Sequence, residues 1–278
     1  MAVNVHVIFF GALSCTIMSL GISIVTICFN NLDELQRTCI SVNAQLQLPF
    51  EHWVIDGSTD DLILTWLQHT DQPPYRKWLH ERDSGIADAF NKGVQRSTGD
   101  VVYLLNSGDE LYDTSVLQQV TLSFEKNPQS MWCHGKLQLM RGGLWVVVGK
   151  PFEKKKLYRG MRAVFHPTMY VRREVYQRRG LFDTELKIAM DYDFLCRLAN
   201  EPFHFIDYPL ARFDPSGVST ANYLQGMRES YRQYRKYFGS SFKQRVWYWR
   251  QAALSFLLNS SLGKWLYRMK VRLGGENW

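Results

Sequence analysis

The residues best suited to chemistry are carboxylates and small polar side chains that follow apolar, strand-like runs. The first group is Leu104-Leu105-Asn106-Ser107-Gly108-Asp109-Glu110. A buried strand there delivers a polar turn and then a carboxylate. A hard divalent cation bridging two phosphates needs one or two fixed oxygens of this kind, with positions left open for phosphate and water. Such a cation, Mg²⁺ or Mn²⁺, would neutralise a diphosphate leaving group. The same residue types also suit an ordinary strand-to-turn exit. The second group, Val54-Ile55-Asp56-Gly57-Ser58-Thr59-Asp60, puts Asp56 at a strand end ahead of a glycine turn. There it can accept hydrogen bonds from a nucleobase or ribose, while Thr59 or Asp60 can instead cap the next helix. The third runs from Glu81 to Gly93. Asp83 and Ser84 can serve as an N-cap, and Asp88, Asn91 and Lys92 share one helical face, either solvated or turned to a ligand.

The elements that must position these groups alternate. Ile22–Phe29 is an apolar, β-branched run of strand length, bounded by Gly21 and Asn30-Asn31. Helical spacing follows from Leu32 to Gln47, then a strand over Glu51–Asp56, a helix from Asp60, a strand over Arg76–Glu81, a helix over Ile86–Arg96 and a strand over Asp100–Leu105. Strand and helix in alternation with short connections predict a mostly parallel sheet covered by helices on both faces. Ligands of such sheets bind at the carboxyl ends of the strands, where Asn30, Asp56, Asp83 and Asp109 all fall. After Asp113 the alternation fades: a hairpin over Met131–Met140 and Leu144–Lys150 turns at Arg141-Gly142-Gly143. A strand over Thr168–Arg172, a helix over Met190–Ala199 and a strand over Phe203–Tyr208 follow, and the chain is helical, aromatic and basic from Asn222.

Composition is that of a globular protein, with 46% hydrophobic and 21% charged residues in a chain of 278. The net charge of +7 belongs to the tail, where Met227–Trp278 holds eleven Lys and Arg against Glu229 and Glu276. A basic, Trp-rich amphipathic stretch suits the boundary of an anionic membrane, or else packs on the body or forms a dimer contact. No recognised nucleic-acid module accompanies it, so nucleic acid is not expected as a partner. The five cysteines show neither CxxC pairing nor metal spacing, which predicts a reducing, cytoplasmic setting. Residues 1–20 are largely apolar without a basic n-region. They read as an upstream extension with Met18 as the start, with a membrane-associating segment as the alternative and a cleaved signal disfavoured.

Taken in order, these motifs resemble glycosyltransferase family 2, and within it bacterial polysaccharide-assembly enzymes of the colanic-acid type. The likeness is carried by Ser23-Ile24-Val25-Thr26 with Asn30-Asn31, Ile55 to Asp60, Asp83-Ser84-Gly85-Ile86 with Asp88-Ala89 and Asn91-Lys92-Gly93, and Leu105 to Asp109. Further on come His166-Pro167, Phe182-Asp183, Asp191-Tyr192-Asp193 with Arg197, and Gly217-Val218-Ser219-Thr220. The resemblance implies a GT-A catalytic domain over residues 21–220, with a nucleotide-sugar half (21–112), an acceptor half (113–220) and a helical extension over 221–278. It implies that Asp56 holds the base, uracil by preference, that Asp83 holds the ribose region, and that Asp109 binds the metal. Asp191 takes the place of the catalytic base of an inverting transfer. Asn30, Asn91, Lys92, Asn106, His166, Asp193 and Arg197 complete the expected substrate contacts. The implied acceptor is a saccharide, polyprenyl-diphosphate-linked, at the inner face of the membrane.

Departures from the pattern matter. Only one clear carboxylate remains in the metal motif, and the family's Glu-Asp pair is Met190-Asp191 here. The base role is therefore open between Asp191 and Asp193, which lie about 200° apart on a helix so that only one faces the substrate, with Asp191 favoured. Pro167 stands where a glutamine is expected. These departures keep a second reading open, a catalytically silent nucleotide-sugar binder or scaffold. A dinucleotide-dependent dehydrogenase is disfavoured, because the first strand runs into Phe29-Asn30-Asn31 with no GxGxxG.

Overall fold

In the computed structural model, residues 20–141, 143–213, 223–259 and 269 are described. The expectations for residues 1–19, for Gly217–Thr220 and for the tail past 259, Trp265 and Leu266 included, lie outside the described residues. Nine strands form one sheet: β1 (Ile22–Cys28), β2 (Glu51–Asp56), β3 (Arg76–His80), β4 (Val101–Leu104), β5 (Glu110–Leu111), β6 (Trp132–Arg141), β7 (Leu144–Val148), β8 (Met169–Arg172) and β9 (Phe203–Phe213). The helices are α1 (Leu32–Asn43), α2 (Leu62–His69), α3 (Ile86–Arg96), α4 (Val116–Lys126), α5 (Arg173–Arg179), α6 (Met190–Leu198), α7 (Tyr223–Phe238) and α8 (Phe242–Asn259).

β1 is paired in parallel with β2 on one side and β4 on the other, and β3 continues the parallel run beyond β2. A strand so placed is covered on both faces, which is why β1 is apolar almost throughout. Its residues feed two cores by alternation: Val25 packs with Ala87, Phe90 and Val94 of α3, and Ile22 and Ile24 with Val42, Val116 and Val120. Helix α3 crosses β1 at Gly93, where a Cβ would meet Val25 Cγ1 at 2.2 Å. Only glycine allows that approach.

Beyond β4 the sheet turns mixed. β8 is antiparallel to β4 and β6 antiparallel to β8, β9 is parallel to β6, and β5 is antiparallel to β9. The mostly parallel sheet expected from the sequence is thus parallel through its first four strands and mixed after them. The expected hairpin is β6–β7. The short strand β5, helix α4 and helix α5 were not anticipated, although Val116, Leu117, Val120 and Phe124 of α4 have helical spacing and are all buried. β5 is two residues long, too short for any periodicity to register.

The described part of the basic, aromatic extension folds back on the body. Tyr234, Tyr237 and Phe238 of α7 pack against the larger core, and Gly226 lies so close to Ile188 that a Cβ would meet it at 2.8 Å. Among the described residues no helix is long and apolar enough to cross a membrane.

Candidate active site

The turn after β4 is fixed from below by α1. The Thr38 hydroxyl donates to the Asp109 carbonyl at 2.8 Å and accepts from the Gly108 amide at 2.9 Å. Ser107 N–H donates to Ile27 O, so the turn extends the β1 ladder past the end of the sheet. The outcome is a buried Asp109 carboxylate at the wall of a cavity of about 570 Å³. Asn106 Oδ1 and Ser107 Oγ beside it are buried without hydrogen-bond partners. Three oxygen-bearing side chains, two of them unsatisfied, fit a hard cation. Among the described residues no group of three His, Cys, Asp or Glu side chains could hold a metal by itself. A metal here would therefore draw on its diphosphate ligand for much of its coordination.

Across the cavity, α6 presents Asp191 in its first turn. Burial pushes its carboxyl up to about 6, against the lowering effect of the Tyr192 amide, which donates to Oδ1 at 2.7 Å. His166 lines the same cavity, its ring 5.1 Å from that of Phe90. Burial pushes it down to about 4, so it is neutral, and its Nε2 has no partner. Asn106, Asp109, His166 and Asp191 thus converge on one space.

Asp193 and Arg197 do not. Two residues along α6, Asp193 is 1% exposed and turned away from the cavity; Arg197 contacts it through Nε at 3.0 Å and Nη2 at 2.8 Å. Tyr237 Oη donates to its other oxygen at 2.9 Å, and Arg197 also donates to the carbonyls of Arg179 and Gly180. The helical angle between Asp191 and Asp193 separates a cavity-facing carboxylate from one that ties α7 to α6. Asn91 is likewise engaged elsewhere: its amide donates to Phe182 O at 2.9 Å and accepts from Phe182 N at 2.8 Å. Lys92 donates to Arg82 O at 2.6 Å and pairs with Glu81 at 2.8 Å.

The strand ends of β1, β2 and β3 form a second polar cluster beside the cavity. Asn30 adopts a φ of 52°, a left-handed conformation that asparagine tolerates better than most. From there its side chain accepts from Thr59 N at 3.0 Å and donates to Thr59 Oγ1 at 3.1 Å. Asp56 is fully buried, accepting from Ser58 N at 3.0 Å and paired with His80 Nδ1 at 2.7 Å. Asp83 accepts from Gly85 N at 2.9 Å, and its other oxygen rests on Gly57, where a Cβ would sit 1.9 Å away. Gly57 is what lets the second and third motifs meet.

Sequence reasoning missed several contributors. His80 comes from β3 with no local motif, and Thr38 from the middle of a helix. Glu229 of α7 is the third: its Oε2 accepts from Ile188 N and Ala189 N, both at 2.9 Å, at the entry to α6. Burial works against its charge, yet these amides and Gln225 hold its carboxyl below the ordinary range. A carboxylate there also complements the helix N-terminus that carries Asp191. Helices α7 and α8 supply one wall of the cavity through Tyr231, Gln244, Trp247, Tyr248 and Gln251. For their inner faces, the packing alternative for the tail is the one realised.

A mixed sheet with polar strand ends, a carboxylate turn after β4 and a facing acidic helix defines a GT-A-type glycosyltransferase. The glycosyl transferase family 2 profile matches residues 23–180, and the chain belongs to that family. An uncharacterised glycosyltransferase of Mycobacterium tuberculosis is 35% identical over 205 residues, covering 72% of this chain and 77% of the relative. A PGL/p-HBAD biosynthesis glycosyltransferase of Mycobacterium bovis is 25% identical over 176 residues, covering 62% of this chain and 67% of the relative. Among solved structures, S. aureus TarS 1–349 in complex with UDP-GlcNAc is similar with a TM-score of 0.60 at 16% identity, covering 82% of this chain and 70% of that one. The longer TarS structure is spanned to 41% of its length. Mannosyltransferase PcManGT of Pyrobaculum calidifontis, in complex with GDP-Man and Mn²⁺, has a TM-score of 0.60 at 14% identity, covering 93% and 81%. These likenesses establish family and fold; the narrower colanic-acid-type resemblance stays an expectation.

Proposed function

We propose that the protein transfers a sugar from a nucleoside diphosphate sugar, UDP-linked by preference, to a saccharide acceptor with inversion at C1. The observation that carries this reading is the convergence of Asp191, Asp109, Asn106 and His166 on one cavity. Ionised Asp191 accepts the proton of the acceptor hydroxyl as that oxygen bonds to C1. The bond from C1 to the donor's phosphate oxygen breaks, and the nucleoside diphosphate leaves. A base of pKa near 6 matches this task at neutral pH, being ionised yet still basic. Direct displacement needs no enzyme nucleophile.

Asp109, with Asn106 and Ser107 beside it, would hold Mg²⁺ or Mn²⁺. When bound, the cation would offset the charge that develops on the leaving diphosphate. Asn30, Asp56 and Asp83 form the donor side, where hydrogen bonds to Thr59, to Ser58 and His80, and to Gly85 set the strand ends before a nucleotide arrives. The acceptor is proposed to be a polyprenyl-diphosphate-linked saccharide of bacterial surface polysaccharide assembly, met at the inner face of the membrane. Support for the membrane is the exposed outer face of α8, which bears Phe242, Trp249 and Phe256 beside Lys243 and Arg250.

The test is nucleotide release from UDP-, GDP- and dTDP-sugars with Mg²⁺, Mn²⁺ or EDTA, with membrane extract as the source of acceptor. Release from one donor that requires metal and is lost in both Asp109→Ala and Asp191→Ala is the expected result. Binding of a UDP-sugar without release, once an acceptor is known to be present, would shift the reading to a silent binder.

A further inference from the structure

The rim of the cavity carries a concentration of positive charge that the donor side does not use. The guanidinium carbons of Arg159, Arg162 and Arg250 lie 5.4, 5.5 and 5.2 Å from the centre of the Trp247 ring. Any two of them are therefore at most about 11 Å apart, roughly one Debye length at 0.1 M salt. Arg159 donates to Tyr158 Oη at 3.0 Å, and Arg162 to Gln251 Oε1 at 3.1 Å. Both acceptors are neutral. Among the described residues none of the three arginines has a carboxylate partner, and nearby Glu153 is taken by Lys155 and Lys156. Three like charges gathered on one indole repel one another, and cation–π attraction offsets only part of that cost. A bound anion removes it.

We propose that Arg159, Arg162 and Arg250 around Trp247 form an anion site for the phosphate group of a lipid-linked acceptor, separate from the donor's diphosphate. This rests on the transferase reading above. The donor diphosphate has its own counter-charge in the metal expected at Asp109, so a second cationic centre is surplus to it. Arg159, Arg162 and Trp247 line the same cavity as Asp191, which puts an anchored phosphate within the space where the acceptor sugar must lie. Guanidinium forks suit phosphate oxygens, to which they donate paired hydrogen bonds.

A second observation points to lipid. Helix α8 turns Gln244, Trp247 and Gln251 inward, toward the cavity, and shows an apolar stripe to the outside. Phe242, Val246, Trp249 and Phe256 on that stripe are 73%, 51%, 70% and 81% exposed. Their spacing of three, four and seven residues keeps them on one helical face. The helix thus leaves an apolar stripe exposed, flanked by Lys243, Arg245 and Arg250, where a helix that merely packs on a core would bury its apolar residues. A phosphate held at Arg250 and Trp247 would leave its hydrocarbon beside this stripe.

The full chain would be titrated in EDTA with geranyl diphosphate, inorganic pyrophosphate and UDP, by calorimetry. Wild type would be compared with the R159Q/R162Q double variant and with R250Q, each first checked for an unchanged melting temperature. The expected result is a loss of about tenfold or more in geranyl diphosphate affinity in the double variant, a smaller loss in R250Q, and UDP affinity within twofold of wild type. Geranyl diphosphate binding that is equal in all three proteins would overturn the site. A matching loss of UDP binding would reassign the arginines to the donor diphosphate. Sedimentation with phosphatidylglycerol/phosphatidylcholine vesicles separates the remaining source of phosphate. If the variants lose vesicle binding but keep geranyl diphosphate, the site belongs to bilayer headgroups and the acceptor assignment fails. Wild-type binding of geranyl diphosphate, with no binding of UDP-, GDP- or dTDP-sugars when these are titrated separately in Mn²⁺ or Mg²⁺, would refute the transferase reading while leaving the anion site in place.

Discussion

The two proposed walls of the site, the strand-end cluster on the donor side and the cavity on the acceptor side, are built on different principles. On the donor side, the polar groups satisfy one another: Asn30 with Thr59, Asp56 with His80 and Ser58, Asp83 with Gly85. On the acceptor side, His166 Nε2 has no partner, Asp191 is held at an unusual pKa, and three arginines crowd one tryptophan. The strand-end cluster of the donor wall is organised before any ligand arrives, whereas the cavity side, Asn106 Oδ1 and Ser107 Oγ included, keeps polar groups unsatisfied. Substitutions should therefore act on binding and folding at the first wall, and on turnover at the second.

The largest effect is expected from Asp191→Asn. Turnover should fall by about 10²–10⁴-fold, the usual contribution of a positioned base, with donor affinity kept. The same variant should be more stable than wild type where Asp191 would be charged. Its folded pKa of about 6 lies above the ordinary 3.8, so the folded state holds the proton more tightly. Stability from that site is full below about pH 4 and is lost as pH rises through 6. Thermal melts should show a gain for the variant on the order of 1–3 kcal/mol at pH 8 that shrinks toward pH 4.

Gly57→Ala probes the donor wall. Its Cβ would strike the Asp83 carboxylate, so a cost of about 1–3 kcal/mol is expected, read as weaker UDP-sugar binding with little change in turnover of bound donor.

A purely structural carboxylate at the start of β2, the end of the strand away from Asp56, gives the opposite pH behaviour from Asp191. Burial would raise Glu51, but hydrogen bonds from Thr98 N–H, Lys77, Ser23 and the Thr98 hydroxyl outweigh it and hold it at about 2. Its contribution is present above the ordinary pKa and is lost as pH falls through about 2. Glu51→Gln should cost about 1–2 kcal/mol at pH 7, a difference that narrows in acid melts.

The smallest effect is expected within the acceptor wall, where α7 meets the start of α6. Glu229→Gln keeps the size of the side chain but weakens the grip on Ile188 N and Ala189 N. A loss of about 0.5–1 kcal/mol in stability is expected, with turnover reduced less than in Asp191→Asn and donor affinity unchanged.

The same contrast explains what could be read from the sequence. The donor wall is made of strand ends and the turns that follow them, so Asn30, Asp56, Asp83 and Asp109 each announce themselves beside an apolar run. The parallel run through β4 was expected from the alternation of elements. The acceptor wall is assembled from segments far apart in the chain, such as Arg159, Asp191, Glu229 and Trp247. No local periodicity says that α7 caps α6, or that α8 turns its glutamines inward. Asp193 and Arg197 carried the right chemistry at the right spacing, and the packing of α7 onto α6 pairs them with each other and with Tyr237, away from the cavity. His80 pairs with Asp56 because β2 and β3 run in register, which places Asp56 opposite His80.

The most direct test of the account is a side-by-side turnover measurement on Asp191→Asn and Asp193→Asn, at saturating donor and metal. The account predicts that the first loses chemistry while folding normally, and that the second melts earlier but turns over within a few-fold of wild type. Loss of turnover in Asp193→Asn at full stability, with Asp191→Asn still active, would contradict it.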